Sequence, residues 1–356
     1  MNSLRFRLAA AMLLEGETVL RGVPRVSDIE TFRAIMAEVG ADSAWTGPGT
    51  LVIAGGRLID RSPTLGLVRK MRASYYIMGP LLGMLGRSVV GLPGGCSIGS
   101  RPVDLHLAAF EALGATVRTD GGIANAEAGP LGLRGAAMDL LGPFGSSVGA
   151  TITTIRSAAM EPDVIETAAM LNRAGARITG AGTRTIEIEG VSRLKAVAYD
   201  VPGDRIEAGT YLLATAATGG DVTVTGIRPW QLSALPDLLR RMGCSVLTGE
   251  EEVRVIATRR LGAVQVETGT FPALATDLQP QLVAALCRAE GASMVGERIF
   301  DGRFEYTRVL ERLGAHIRVA GNTAVISGVE RLSGAPVVGK DLRGTAALVI
   351  GAMAAE

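Results

Sequence analysis

The stretch VLERLGAHIRVAG (309–321) reads as an apolar helical turn that stops on a glycine and runs straight into a period-two alternation. The same phrase stands at IMAEVGADSAW (35–45), AFEALGATVRTD (109–120), MLNRAGARITGAG (170–182) and LLRRMGCSVLTG (238–249). Its glycines are Gly40, Gly114, Gly175, Gly243 and Gly314, at intervals of 74, 61, 68 and 71 residues. A helix ended by a C-cap glycine and followed directly by a strand accounts for the phrase. Common ancestry of the units accounts for its return, so the chain reads as an α/β array of repeated strand–helix units.

A second station repeats ahead of these glycines. EGETVLRGVP (15–24), GRSVVGLPGG (86–95), GGDVTVTGIRP (219–229) and EGASMVGERIF (290–300) are each a turn followed by an apolar strand. The third unit shows no such strand near residues 150–160, and it also has the shortest interval. The chain ends at GAMAAE, where another such strand is due. Six units of about 70 residues need roughly 420, against 356 here. The expectation is a shortened third unit and an incomplete sixth.

A third station opens apolar helical patterns: KMRAS (70–74), SSVGAT (146–151), GDRIEAGT (203–210), ATDLQPQL (275–282) and DLRGTAAL (341–348). The phrases GVSRL (190–194) and GVERL (328–332) each begin 15 residues before an arginine, Arg205 and Arg343. Arg72, Arg205 and Arg343 thus fall at equivalent helix starts. A cation is disfavoured beside the positive end of a helix dipole, so arginines there suit a bound anion better than they suit stability. Pairing with Asp204 or Asp341 is the plainer alternative.

Composition narrows the function classes. At 47% hydrophobic and 20% charged residues the chain can bury a large core, which excludes intrinsic disorder. Lys+Arg 36 against Asp+Glu 35 leaves a net charge of +1, so no global field recruits nucleic acid or an anionic membrane. The apolar runs are too short to span a bilayer. The opening MNSLRFRLAAAMLLEG faintly resembles a signal peptide but lacks a small-residue cleavage site, and an amphipathic helix is expected there. Three widely spaced cysteines give neither a disulfide framework nor a metal pair, and fit a reducing cytoplasm.

The sharpest local signal is GLPGGCSIGSRPVDLHLAAFEALGA (91–115). Glycines frame Cys96, and Arg101-Pro102 leads into a helix with Asp104 in its first turn. A thiol between glycines and near an arginine has the setting of a reactive cysteine. Cys244 and Cys287 lie in apolar patterns and read as packing residues.

Taken with LVRKMRASYYIMGPLLG (67–83), SVGAT (147–151), EPDVIETA (161–168), DRIEAGTYL (204–212), TDLQPQ (276–281), FDGRF (300–304) and DLRGTAALV (341–349), this loop resembles the UDP-N-acetylglucosamine enolpyruvyltransferases through nearly the whole chain. The resemblance implies an inside-out α/β barrel in two domains, 1–203 and 204–356, with helices enclosed by sheet and a ligand cleft where helix starts converge. It implies transfer of the enolpyruvyl group of phosphoenolpyruvate to the 3′-hydroxyl of UDP-N-acetylglucosamine with release of phosphate, without a cofactor or metal.

That chemistry needs a proton donor at the alkene methylene, a base at the sugar hydroxyl, and cations for carboxylate and phosphate. By resemblance Cys96 is the donor, and Asp277 is the base or the carboxylate that orients the hydroxyl. Arg72, Arg101 and Arg343 match arginines that clamp phosphoenolpyruvate and the nucleotide phosphates. Ser147, Val148 and Gly149 would receive the diphosphate on backbone N–H groups. Arg205, Arg303 and Asp341 match positions around the cleft. His106 and His316 are expected to be structural. Asp277 also admits a plainer reading as part of a helix cap, Asp341 as an ion-pair partner of an arginine, and SVGAT as a turn.

The sequence departs from the family pattern in three places. Asn2 matches the asparagine of a Lys-Asn pair, and Met1 stands where the lysine belongs. The third unit lacks about a dozen residues by repeat spacing, a helix end and a strand. The last unit, which carries another substrate-binding arginine in the family, is incomplete. The departures predict little turnover and an open sheet edge in the second domain. The alternatives are a paralogue that binds the UDP-sugar without converting it, and an enzyme of the shikimate-pathway type, which shares the repeat but not the cysteine loop.

Overall fold

The computed structural model describes residues 2–92, 103–140 and 152–356. They divide into two compact units, with the change of unit at Val201 and Pro202.

The first unit runs α1 (Asn2–Ala11), β1 (Leu14–Arg21), α2 (Ser27–Glu38), β2 (Asp42–Gly47), β3 (Thr50–Gly55), α3 (Leu65–Val68), a 3-10 turn Arg72–Ile77 and α4 (Met78–Leu85). It continues with β4 (Arg87–Gly91), α5 (Asp104–Ala112), β5 (Ala115–Asp120), β6 (Ile123–Ala128) and β7 (Ala137–Asp139). Then follow β8 (Ile152–Arg156), α6 (Pro162–Arg173), β9 (Arg177–Thr179), β10 (Thr185–Glu189), β11 (Leu194–Lys195) and β12 (Ala198–Asp200). The second unit has α7 (Arg205–Thr218), β13 (Gly220–Thr225), α8 (Leu235–Arg241), β14 (Ser245–Thr248), β15 (Glu252–Ala257), β16 (Gln265–Glu267) and α9 (Gln279–Leu286). It closes with β17 (Ala292–Gly296), α10 (Thr307–Leu310), β18 (His316–Ala320), β19 (Thr323–Ser327) and α11 (Leu342–Met353).

One wiring pattern generates the five sheets of the described residues. A first strand is followed by a helix, then by a hairpin whose second arm returns beside the first strand. The spatial orders are β1-β3-β2, β4-β6-β5, β8-β10-β9, β13-β15-β14 and β17-β19-β18, every pair antiparallel. Three sheets gain parallel edge pairings, β11 and β12 on β1, β7 on β8, and β16 on β17. The five repeat glycines all sit between helix and hairpin at positive φ, from +87° at Gly314 to +103° at Gly175. Only glycine enters that region without strain, which is why the phrase keeps this residue.

The third unit corrects one expectation. Its first strand is present: Ile152–Arg156 forms β8 and pairs along its whole length with β10. Its sequence, ITTIR, places its two isoleucines on opposite faces and so shows no period-two alternation, and no side chain of the strand is fully buried, so hydrophobic pattern did not mark it. The opening helix also differs from the amphipathic expectation. Leu4 and every residue from Arg7 to Met12 are buried, so burial is not confined to one face, and α1 lies against α6 inside the first unit.

In the second unit α7, α9 and α11 pack on one another, with β13 and β15 against α7 and β17 against α9. Every residue of α9 from Gln279 to Leu286 is buried, the signature of a helix enclosed on all sides. Each of its large aliphatic side chains contributes about 2 kcal/mol by leaving water. Two buried glutamines cross this core: Tyr306 Oη donates to Gln279 Oε1 at 3.0 Å, and Gln281 Nε2 donates to Thr210 Oγ1 at 3.0 Å.

Candidate active site

The turn before α9, the first turn of α11 and the loop before α10 bring three charged groups together. Asp277 lies in the 3-10 turn Thr276–Leu278 that leads into α9. The turn can lie flat against α7 because residue 209 is glycine. A Cβ there would stand 2.7 Å from Leu278 Cδ1. Arg303 Nη2 donates to Asp277 Oδ1 at 2.9 Å, and Arg343 Nη2 donates to Asp277 Oδ2 at 2.9 Å. Each carboxylate oxygen therefore has its own guanidinium. The side chains of Asp277 and Arg343 are 23% and 21% exposed, and that of Arg303 only 2%. Arg303 also stands over the Phe300 ring, 5.3 Å from its centroid. Its Nε and Nη1 are buried with no acceptor among the described residues.

Burial pushes the Asp277 carboxyl up, but the Arg343 and Arg303 charges and their hydrogen bonds outweigh it, so Asp277 titrates below its ordinary value. The group is ionised and flanked by two cations, a local charge of +1. Such a cluster accepts a further anion at low cost, since the guanidiniums are already desolvated and held in place.

Arg343 is fixed from its backbone. Asp341 caps α11 by accepting from the N–H groups of Arg343 and Gly344, both at 3.0 Å. At Gly344 an added Cβ would stand 2.6 Å from Asp341 Oδ2 and 3.0 Å from Tyr306 Cβ. Glycine is thus required for the cap and the tyrosine to share that space. Asp204 caps α7 in the same way, accepting from Ile206 and Glu207 N–H groups, with Arg205 as the first helical residue. Both aspartates are helix caps, and Arg343 pairs with Asp277 rather than with Asp341. Asp277 itself is not a cap; it is the hub of the ion-pair cluster.

In the first unit Arg72 opens the 3-10 turn Arg72–Ile77, 5.9 Å from the Tyr75 ring centroid. Tyr75 meets His106 edge-on at 4.9 Å, and Tyr76 stacks on Phe6 at 4.3 Å. Burial, reinforced by the Arg72 charge, pushes the His106 imidazole below its ordinary value despite Asp104. His106 is therefore a neutral packing group beside a cation. Asn2 opens α1. Cys96, Arg101, Ser147, Val148 and Gly149 lie outside the described residues. Cys244 and Cys287 are buried free thiols, with Cys287 pushed up to about 12 by burial. Among the described residues, no group of three His, Cys, Asp or Glu is placed to hold a metal. No described helix is long and apolar enough to cross a membrane.

The sequence motifs name Asp277, Arg303, Asp341 and Arg343 as candidates, but not their neighbours Thr276, Glu297, Tyr306 and Gly344. The Glu297-Arg298 pair that interrupts the apolar residues of SMVGERIF (293–300) was the available signal for one of these.

The comparisons with known proteins agree with one another. The family model described as EPSP synthase (3-phosphoshikimate 1-carboxyvinyltransferase) matches residues 2–356. A UDP-N-acetylglucosamine 1-carboxyvinyltransferase of Xanthobacter autotrophicus is 44% identical, over 98% of this chain and 86% of the relative. UDP-N-acetylglucosamine 1-carboxyvinyltransferase 2 of Geobacillus kaustophilus is 40% identical, over 100% and 84%. In fold, the chain is similar to the enolpyruvyl transferase NikO from Streptomyces tendae, with TM-score 0.86 and 24% identity over 99% of this chain and 86% of that one. EPSP synthase from Acinetobacter baumannii shares the fold with TM-score 0.76 and 18% identity, over 100% and 88%. The chain belongs to the EPSP synthase family of enolpyruvyltransferases, and the relatives that share two fifths of its sequence are UDP-N-acetylglucosamine 1-carboxyvinyltransferases.

Proposed function

We propose that this chain transfers the enolpyruvyl group of phosphoenolpyruvate to the 3′-hydroxyl of UDP-N-acetylglucosamine, with release of phosphate. This is the first committed step of peptidoglycan precursor synthesis, carried out in the cytoplasm on small soluble substrates. The observation that carries the reading is the convergence of Arg303 and Arg343 on Asp277 in a chain 44% identical to such an enzyme.

In the addition step the sugar oxygen bonds to C2 of phosphoenolpyruvate while C3 takes a proton, giving a tetrahedral adduct. In the elimination step a proton leaves the new methyl group and the C2–O bond to phosphate breaks. Asp277 accepts the hydroxyl proton as the oxygen attacks. Its carboxyl, held low by two guanidiniums, is a weak base in the free protein, and a base works best with its pKa near the working pH. A substrate anion that draws on Arg303 and Arg343 would relieve that depression and raise the basicity of Asp277 as the substrates come together. The buried, unmet Nε and Nη1 donors of Arg303 are suited to anionic oxygens. Cys96 delivers the proton to C3, and Arg72 and Arg101 neutralise phosphoenolpyruvate and diphosphate charge. Arg205, Asp341 and Asn2 would serve substrate binding, and Ser147, Val148 and Gly149 would bind diphosphate through backbone N–H groups.

Phosphate release from phosphoenolpyruvate, with and without UDP-N-acetylglucosamine, tests the reading. Release that depends on the sugar nucleotide and falls at least about a hundredfold in Cys96→Ala and in Asp277→Asn is the expected result. Tight binding of UDP-N-acetylglucosamine without any phosphate release would instead favour a paralogue that only binds the UDP-sugar.

A further inference from the structure

Glu297 is 1% exposed and follows the last residue of β17. A buried carboxylate is costly unless hydrogen bonds replace its water, and here three donors do so. Its Oε2 accepts from the Thr276 hydroxyl at 2.9 Å. Its Oε1 accepts from the N–H groups of Ile299 at 2.8 Å and Phe300 at 3.2 Å. The backbone is held as well, since Glu297 N–H donates to Asn322 O at 2.8 Å.

These bonds join two segments that lie apart in the chain. Thr276 immediately precedes Asp277. Ile299 and Phe300 begin the turn that carries Phe300 under the Arg303 guanidinium, and Arg303 reaches back to Asp277. The carboxylate of Glu297 thus closes a ring: Glu297, Thr276, Asp277, Arg303, Phe300, and back to Glu297. Without it, the Asp277–Arg303 pair would be the main polar tie between two turns that must both stay in place when a substrate anion competes for Arg303.

We propose that Glu297 is a positioning residue for the reaction set out above: acting through Thr276 and the 299–300 turn, it keeps Asp277 and Arg303 in register with Arg343. The proposal rests on that reaction for its kinetic consequence, but the geometry it describes has a readout of its own.

Thr276→Val removes the hydroxyl link while leaving the two backbone bonds to Glu297 intact, and Thr276→Ser keeps the link. Glu297→Gln keeps an acceptor for both backbone N–H groups and turns its amide toward the Thr276 hydroxyl, which can accept from it. The first readout is the carbon NMR titration of the Asp277 carboxyl in the substrate-free protein. Thr276→Val is expected to move its midpoint upward toward the ordinary aspartate value as the guanidinium contacts loosen, and Thr276→Ser to return it to the parent value. The second is kinetics. Thr276→Val is expected to lower kcat about tenfold with KM for UDP-N-acetylglucosamine changed less than about threefold, Glu297→Gln to lie between it and the parent, and Thr276→Ser to match the parent. An unchanged Asp277 midpoint in a folded Thr276→Val protein overturns the proposal, as does a Thr276→Ser variant as impaired as Thr276→Val. If the parent protein releases no phosphate, the proposed reaction fails, and the Asp277 titration alone decides the role of Glu297.

Discussion

Asp277 shows how one residue can be set by two opposing forces. Burial favours its neutral acid and two guanidiniums favour its anion, and the guanidiniums prevail. A carboxyl whose folded pKa is depressed contributes stability that is fully present above its unfolded pKa. That contribution is lost as pH falls through the lower, folded value. Asp277→Asn abolishes this dependence and leaves the buried Arg303 with a neutral partner, at a cost of about 2–3 kcal/mol near neutral pH. Urea unfolding of parent and variant across acidic pH should therefore show a stability gap that is constant above the ordinary aspartate range and closes below it. A gap independent of pH would mean that Asp277 is not the ion-pair hub. The identity of this residue was legible from the TDLQPQ motif, but its environment was not. Arg303 and Arg343 lie 26 and 66 residues away, and only the fold brings them to it.

At the scale of elements, the start of α11 couples packing to the site. Asp341 satisfies two N–H groups that the helix cannot satisfy internally, and this bond set aims Arg343. Gly344 makes room for the cap beside Tyr306. Gly344→Ala gains helix propensity in general, yet here its Cβ must displace the cap carboxylate or the Tyr306 side chain. The expected outcome is a net loss of about 1–2 kcal/mol in thermal or urea unfolding. Binding of phosphoenolpyruvate in the presence of the sugar nucleotide should weaken as Arg343 turns away. Stability equal to or above that of the parent would show that the crowding at this cap is relieved at no cost. The elements differ in how openly they declare themselves. The repeat glycines and their hairpins are written plainly, because a helix stop needs positive φ and only one residue supplies it without strain. β8 was hidden, since ITTIR is polar and half-exposed and its strand character comes from pairing with β10. α1 is not the amphipathic helix expected from MNSLRFRLAAAMLLEG, because its burial extends around the helix and takes in a charged residue. Arg7 is in fact fully buried, near the Tyr199 ring, while the Tyr199 hydroxyl donates to Glu166 Oε2 at 2.7 Å. A buried polar cluster contradicts any reading of face from charge alone.

Across the whole molecule, the repeat decides where stability resides. The second unit has one continuous core that runs from Ile206 through Ala354 and includes all three of its long helices. The first unit has a large core centred on α1, α2, β1 and β3 and a small satellite of Ala112, Ala136 and Met138 beside its third sheet. Among the described residues each unit has a large hydrophobic core of its own, the condition under which unfolding can depart from a single two-state step. Leu286 tests this because it is fully buried at the end of α9, deep in the second core. Leu286→Ala deletes a methine and two methyl groups from the buried core and leaves a cavity, a loss of about 2–4 kcal/mol. Calorimetry of the parent should give a calorimetric enthalpy larger than the van't Hoff value. In Leu286→Ala one component should move down by several degrees while the other stays in place, and the component that moves should be the one that UDP-N-acetylglucosamine or phosphoenolpyruvate binding at the Asp277 cluster raises. A single transition that shifts as a whole would show instead that the two cores melt together and are not energetically independent.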